Sequence, residues 1–220
     1  MDGPVVGRDE DTAKIVELLS RDVDPSSPTK YQVVAIVGMG GLGKTKLAAQ
    51  VFNDVAAIEQ FDIKIWVSVS DDFNLESVTR TISKKVKSQP CDTDDFSQLQ
   101  DNLSMDIDGK RLLIVLDDVW SACDYDSWTK LQAPFRGGAH GSKVMVTTRD
   151  EKVAALMGAP ATAVYYLKTL SDESVLAMTG HPILTCLRGR LLRIAMDCHW
   201  LQKLLVVFYV VKKLTNGRKY

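Results

Sequence analysis

The chain has 220 residues, of which 45% are hydrophobic and 25% are charged, and its formal net charge is -1 at pH 7. This composition excludes collagen, a disordered chain and a disulfide scaffold, and it gives no electrostatic basis for nucleic-acid binding. The N-terminus lacks a signal-peptide pattern, and the longest apolar run, residues 204–211, is too short to span a bilayer. We therefore expect a cytoplasmic protein that has no transmembrane segment and binds no nucleic acid.

The hydrophobic pattern predicts a regular alternation of helices and strands. It begins with an amphipathic helix that contains Ile15 and Leu19, followed by a linker over residues 22–30. The apolar, β-branched run Tyr31–Val37 then predicts a strand that is buried on both faces. The later predicted elements are helix 44–55, strand 61–69, helices 75–87 and 96–107, strand 111–116, helix 126–131, strand 143–148 and helix 151–156.

This alternation predicts an α/β fold. Strands that are separated by helix-length segments imply right-handed crossovers and a mostly parallel sheet flanked by helices. In such sheets, ligands bind outside the carboxyl ends of the strands. The residues that follow the predicted strands are therefore the first candidates for a site.

A complete phosphate-binding pattern directly follows the first predicted strand. Its residues, which match G-x-x-x-x-G-K-[ST], are Gly38, Met39, Gly40, Gly41, Leu42, Gly43, Lys44 and Thr45. Glycines let successive backbone N–H groups point at a phosphate, Lys44 adds a cation for the β- and γ-phosphates, and Thr45 offers a hydroxyl to Mg²⁺. The predicted cofactor-binding segment extends to Lys46. The alternative is a glycine-rich turn with an accidental lysine.

Two carboxylates follow the apolar strand 111–116, in the form of a Walker B element. Asp117 is predicted to hold Mg²⁺ through water, and Asp118 is the predicted catalytic residue, which orients or deprotonates the attacking water. Without the phosphate-binding loop, a strand that ends in two aspartates is also a common start of a turn.

The strand 143–148 is followed by Arg149. A parallel sheet places this guanidinium at the same edge as the loop, where we expect it to meet a γ-phosphate. A simply solvated arginine is the alternative.

These motifs and their flanks resemble the nucleotide-binding (NB-ARC) domain of plant NLR (NBS-LRR) disease-resistance proteins. The matching segments, in the family's order, are FDIKIWVSVSDDFN (61–74), LLIVLDDVW (112–120), GSKVMVTTRD (141–150) and YYLKTLSDE (165–173). Trp120 resembles the coiled-coil class rather than the TIR class. Val6, Gly7 and Arg8 resemble the family's V-G-R segment, whose backbone lies by the adenine, although a generic turn is the alternative.

The resemblance implies an ATP/ADP-binding switch in an intracellular plant immune receptor. In the family, ADP holds a closed state, exchange for ATP permits opening and oligomerisation, and slow hydrolysis resets the switch. The implied partners are an N-terminal coiled-coil domain and leucine-rich repeats in cis, and other copies in an oligomer. A constitutive P-loop ATPase or phosphotransferase and a non-functional truncated fragment remain as alternatives.

The domain organisation expected is an N-terminal helix and linker (1–30), a P-loop NTPase domain (31–170) and a truncated remnant of a helical subdomain (171–220). Residues 181–220 contain 8 Lys/Arg against the single Asp197, whereas residues 1–180 contain 19 against 27 Asp/Glu. In a shifted frame, the codons of residues 196–203 allow G-L-P-L-A-A-K, where the family has G-L-P-L-A. We hypothesise that the reading frame was lost somewhere between about 174 and 188; a divergent C-terminus is the alternative.

Overall fold

The computed structural model describes residues 7–23, 29–54, 59–69, 73–87, 95–120 and 124–170. It divides the chain into two compact units, one formed by Glu10–Leu167 and the other by Met1–Asp9 with Lys168–Tyr220. In the second unit, Arg8 donates a hydrogen bond to the Lys168 carbonyl oxygen at 2.8 Å. The suspected loss of frame lies outside the described residues.

The elements alternate along the chain as the sequence predicts. The helices are α1 (Asp9–Ser20), α2 (Lys44–Phe52), α3 (Leu75–Lys87), α4 (Phe96–Ile107), α5 (Tyr125–Gln132) and α6 (Glu151–Leu156). The strands are β1 (Tyr31–Val37), β2 (Ile63–Ser68), β3 (Leu112–Val119), β4 (Ser142–Thr148) and β5 (Val164–Tyr166), and short 3₁₀ helices cover Pro134–Gly137 and Ala161–Ala163.

The five strands form one sheet in the order β2-β3-β4-β1-β5, and every pair is parallel. The predicted parallel α/β fold is therefore confirmed. β1 lies in the interior of the sheet, where Val33 pairs with Val144 and Ala35 pairs with Val164. Because all strands run in the same direction, the residues that follow β1, β3 and β4 meet at one edge.

Helices and strands bury apolar side chains on both faces of the sheet. Along β3, Ile114 and Leu116 belong to one buried cluster, whereas Leu113 and Val115 belong to the other, as the two-residue period of a strand requires. Ile15, from the amphipathic helix α1, is fully buried in the second cluster. The helix that we predicted ahead of the nucleotide-binding domain thus packs into the core of the same unit as the sheet.

Some predicted boundaries differ from the structure. The helix predicted to reach residue 55 ends at Phe52, where the backbone N–H of Asn53 caps the last turn. β3 continues to Val119, so Asp117 and Asp118 lie within the strand, and the pairing with β4 shifts register after Leu116. β5 has only three residues, too few for a hydrophobic period to be recognised.

Among the helices of the described ranges, none has both the length and the hydrophobicity needed to cross a bilayer.

The ammonium group of Lys143 is buried at the start of β4, opposite the edge that carries the predicted site. It donates to the Arg21 carbonyl oxygen at 2.6 Å and to Gln32 Oε1 at 2.7 Å. Burial, with a smaller contribution from the charge of Arg111, lowers the pKa of Lys143 to about 8, and Asp22 opposes the shift.

The lowered pKa of Lys143 predicts a pH-dependent stability. An unfolded lysine titrates near pH ~10.4, so above about pH 8 the unfolded chain binds more protons than the folded chain, and stability rises with pH. We expect a gain on the order of 1 kcal/mol between about pH 8 and about pH 9.5, measured by urea unfolding. Lys143→Met should abolish the gain, and the exposed-site control Lys152→Met should keep it. An equal gain in both variants would contradict this assignment.

Candidate functional site

A glycine loop connects β1 to α2 at the carboxyl edge of the sheet. Gly41 (φ 83°) and Gly43 (φ 91°) adopt left-handed backbone conformations that favour glycine. Gly43 precedes α2 directly and, because it has no side chain, leaves the first N–H groups of the helix without a side-chain cap. The first N–H groups of a helix and its dipole favour an anion at this position.

Gly38 is glycine for a different reason, because the backbone directly after β5 approaches it closely. A Cβ on Gly38 would lie 3.0 Å from the Leu167 carbonyl oxygen. The Leu167 N–H also donates to the Val37 carbonyl oxygen at 2.8 Å, and the Gly38 N–H donates to the Thr148 carbonyl oxygen at 3.2 Å. The start of the loop is thus fixed by hydrogen bonds from both sides of β1.

The ammonium group of Lys44 lies inside the loop. It donates to the carbonyl oxygens of Gly38 at 2.8 Å and Met39 at 3.0 Å, and only 6% of Lys44 is exposed. Burial is the main cause that lowers the pKa of Lys44, Arg149 lowers it further, and Asp118 and Asp117 oppose the shift. An anion bound at the loop would stabilise the charged form of this lysine.

Three elements converge on the carboxylate of Asp117, which is buried. Its Oδ1 accepts from the Thr45 hydroxyl at 3.0 Å and from the Thr147 hydroxyl at 2.6 Å. Thr147 also accepts from the backbone N–H of Asp118 at 2.8 Å. The structure thus brings the two predicted Mg²⁺ residues, Thr45 and Asp117, into direct contact. Thr147, which was not among the predicted site residues, donates the second hydrogen bond to this carboxylate and thereby fixes its orientation.

Asp118 and Arg149 face each other at the same edge. Arg149 Nη2 lies 3.8 Å from Asp118 Oδ2, and the two side chains are 47% and 41% exposed. In the described ranges, Asp118 is the non-glycine residue with a positive φ, at 58°. Such a conformation is costly and is often found at functional sites.

The guanidinium of Arg149 also contacts the loop and an aromatic ring. Its central carbon lies 4.2 Å from the centre of the Trp120 ring. A Cβ on Gly40 would lie 3.1 Å from Arg149 Nη1. From the sequence, Trp120 is recognisable only as a class marker, since no sequence pattern reveals which ring an arginine stacks on.

The remaining predicted positions are less closely involved in this geometry. Met39 is 70% exposed, Lys46 is exposed, and Leu42 packs against the second core cluster. Gly7 (φ 76°) and Arg8 belong to the other compact unit, and Val6 lies outside the described residues.

The donor set fits a phosphate chain with Mg²⁺. The glycine loop and Lys44 supply N–H groups and a cation, whereas Thr45 and Asp117 supply oxygen atoms, which Mg²⁺ prefers. In the part of the chain that the structure describes, no group of three or more His, Cys, Asp or Glu residues forms a complete metal cage. Mg²⁺ commonly binds through one or two carboxylates together with substrate phosphates, so the two findings agree.

Solved structures show which fold this geometry belongs to. The Cdc6p crystal structure from Pyrobaculum aerophilum matches with a TM-score of 0.60 at 12% sequence identity, covering 78% of this chain and 48% of that chain. Together with the parallel sheet and the loop after β1, this match identifies a P-loop NTPase fold.

Curated relatives show a closer relationship. Disease resistance protein RGA2 of Solanum bulbocastanum is 42% identical over 170 residues, which cover 77% of this chain and 17% of the relative. Disease resistance RPP13-like protein 4 of Arabidopsis thaliana is 38% identical over 170 residues, which cover 77% of this chain and 19% of the relative. The chain therefore spans less than a fifth of the length of these relatives.

A family model agrees with these relatives and with the geometry of the site. The NB-ARC domain model matches residues 8–180, a range that includes the loop, the Asp117 carboxylate and Arg149. The chain therefore belongs to the NB-ARC domain family.

Proposed function

We propose that this chain is the ATP/ADP-binding switch domain of an intracellular plant immune receptor that acts in the defence response. The observation that carries the proposal is the convergence of Lys44, the Thr45–Asp117 pair and the Asp118–Arg149 pair around one glycine loop. These groups come from α2, β3 and the residue after β4, and together they provide an anion site, a cation site and two charged groups for a terminal phosphate.

The phosphates of the nucleotide bind at the loop. Backbone N–H groups of residues 38–45 hold the β-phosphate, and Lys44 exchanges its bonds to the loop carbonyl oxygens for bonds to phosphate oxygens. Ion-paired hydrogen bonds from the ammonium group to phosphate oxygens are stronger than its hydrogen bonds to the uncharged carbonyl oxygens that they replace. In the family, the backbone of the V-G-R segment lies by the adenine, and we propose the same role for Val6, Gly7 and Arg8.

Mg²⁺ would be held by Thr45, directly, and by Asp117, through water. When bound, it neutralises charge on the β- and γ-phosphates. Thr147 keeps the Asp117 carboxylate in position, and the burial of that carboxylate limits its mobility.

The terminal phosphate is recognised by Arg149 and hydrolysed with Asp118. Asp118 accepts a hydrogen bond from the attacking water and removes its proton. A γ-phosphate beside Arg149 competes with Asp118 for the guanidinium, and a diphosphate does not. This difference in contacts is the differential binding energy that a nucleotide needs in order to shift a conformational equilibrium.

The experiment that tests the proposal is calorimetric titration of the 220-residue chain with ADP and with a non-hydrolysable ATP analogue, with and without Mg²⁺. Binding of both nucleotides, with a Mg²⁺-dependent gain for the triphosphate, is the expected result. A folded chain that binds neither nucleotide would overturn the proposal. Slow hydrolysis distinguishes a switch from a constitutive ATPase or phosphotransferase, which would turn over many times per minute.

Asp118→Asn is expected to slow single-turnover hydrolysis of bound ATP by at least about ten-fold, because the amide cannot accept the proton of the attacking water. Affinity for the ATP analogue should change by less than about three-fold, since the amide keeps most of the hydrogen-bonding capacity. The matched control is Asp126→Asn, an exposed aspartate in α5. Equal hydrolysis rates in the two variants would remove Asp118 from the catalytic role.

The assembly partners that we propose are those of the family: a coiled-coil domain and leucine-rich repeats in cis, and further copies in an oligomer. The relatives are several times longer than this chain, and more than four fifths of their length lies outside the aligned region. The oligomer is tested by size-exclusion chromatography of a full-length receptor that contains this chain. Its oligomeric state is compared with ADP and with the ATP analogue.

We also propose that the reading frame was lost between about residues 174 and 188. The family match ends at residue 180, within the stretch between Glu173 and Arg188 over which the charge changes from mainly acidic to mainly basic. Sequencing the coding DNA decides the matter: a single insertion or deletion should restore G-L-P-L-A-A-K over residues 196–203, and a gene in which no single shift does so rules the idea out.

A further inference from the structure

Trp120 and Arg149 form a cation–π pair beside the phosphate-binding loop. The central carbon of the guanidinium lies 4.2 Å from the centre of the indole ring, well within the ~6 Å limit for this interaction. Trp120 directly follows β3 and Arg149 directly follows β4, and these strands are neighbours in the sheet. The contact is therefore a product of the sheet order rather than of proximity along the chain.

The same guanidinium rests against Gly40 in the loop. A Cβ on Gly40 would lie 3.1 Å from Arg149 Nη1 and 3.2 Å from its central carbon, tighter than most packing contacts, so the guanidinium would have to shift. Gly40 does not have a positive φ, so this position favours glycine for its small size and not for a special backbone conformation. The loop is shaped to accept Arg149 as well as a phosphate.

Other contacts hold Arg149 only weakly. Its partner Asp118 is 3.8 Å away, both side chains are more than a third exposed, and such ion pairs contribute little in water. The indole N–H of Trp120 has no hydrogen-bond partner among the described residues, so the ring acts through its face. A phenylalanine side chain at position 120 would offer the same kind of aromatic face.

We propose that Trp120 is a positioning residue that holds the guanidinium of Arg149 against the loop at Gly40, and thereby sets how strongly the site prefers a triphosphate to a diphosphate. This inference rests on the proposed role of Arg149 as the group that contacts the γ-phosphate. An arginine has many rotamers, and ordering it only when the ligand arrives weakens binding. Stacking on Trp120 supplies that order before the nucleotide binds.

The first test compares affinities for ADP and for a non-hydrolysable ATP analogue, with Mg²⁺, in variants of the 220-residue chain. Trp120→Leu should lose about two- to five-fold in affinity for the triphosphate, the range that an exposed cation–π contact supports, and should keep its affinity for ADP. Trp120→Phe should restore most of the loss. Trp120→Leu should add nothing to Arg149→Ala, and the matched control Trp66→Leu, which removes an indole on β2, should match the wild type.

The second test measures the position of Arg149 without any nucleotide. Modification by phenylglyoxal, followed by peptide mass spectrometry, should proceed at least twice as fast at Arg149 in Trp120→Leu as in the wild type. Trp120→Phe and Trp66→Leu should leave the rate unchanged. An unchanged rate in Trp120→Leu overturns the positioning role.

The two tests separate failure of this inference from failure of the proposed function. If Arg149→Ala leaves the preference for triphosphate unchanged, then the proposed role of Arg149 is wrong, whatever the labelling shows. If Arg149→Ala abolishes the preference but Trp120→Leu alters neither affinity nor labelling, then only the role of Trp120 is wrong.

Discussion

Replacing Lys44 with alanine is expected to weaken binding of both ADP and the ATP analogue by at least about 100-fold. That factor corresponds to about 2.7 kcal/mol, which is within the range for one or two charge-assisted hydrogen bonds in a dry site. Lys44 is nearly buried within the loop, where water cannot replace the lost cation. The loss should be equal for the two nucleotides if the lysine acts mainly on the β-phosphate, and larger for the triphosphate if it also reaches the γ-phosphate.

Isothermal titration calorimetry measures this effect, and urea unfolding establishes that the variant is folded. Lys84→Ala, which removes an exposed lysine near the end of α3, is the matched control and should bind like the wild type. Nucleotide binding that survives in a folded Lys44→Ala chain would show that the loop is not the phosphate site.

Trp128→Ala should reduce the free energy of unfolding by about 3–5 kcal/mol, the range for removing a large aromatic side chain from a packed core. Trp128 lies in α5, is 2% exposed and belongs to the buried cluster on one face of the sheet. α5 begins at the Asp124 cap, which accepts from the Ser127 N–H at 2.7 Å, so the helix itself should still form. A typical domain has a stability of only about 5–15 kcal/mol, so the loss is a large share of the total.

Urea unfolding of Trp66→Ala provides the comparison for Trp128→Ala. Trp66 lies on the edge strand β2 and is only partly buried. Its ring packs edge-to-face on the ring of Phe52, with the ring centres 5.7 Å apart. Its removal should therefore destabilise the chain by less than half as much. Similar losses of unfolding free energy at both positions would mean that the core around Trp128 is no more tightly packed than the surroundings of Trp66.

Much of the fold is predictable from the sequence because its signals are local. The run Tyr31–Val37 is apolar at nearly every position, which is typical of a strand covered on both faces, and the structure confirms its bounds. Helices 75–87 and 96–107 are also confirmed at both ends, since their apolar positions recur at helical spacing. The phosphate-binding loop is also predictable, because every fixed position of its motif has a chemical role.

Contacts between distant parts of the chain are the features that the sequence does not reveal. Thr147 binds a carboxylate 30 residues earlier in the chain, and Lys143 reaches a carbonyl oxygen 122 residues away. Neither contact leaves a periodic pattern. The strand bounds at Asp117 and Asp118 failed for a related reason: pairing with β2 at Asp117 and with β4 at Val119 extends β3 beyond its apolar run.

The hydrogen bonds around Gly38 connect the site mechanically to β5. β5 is only three residues long, and the Leu167 N–H that extends it is bonded to Val37, immediately before the loop. A displacement of β5 along its strand direction would strain this hydrogen bond and would be transmitted to the backbone of Gly38. The position of β5 and the shape of the phosphate-binding loop are therefore coupled through the same few bonds.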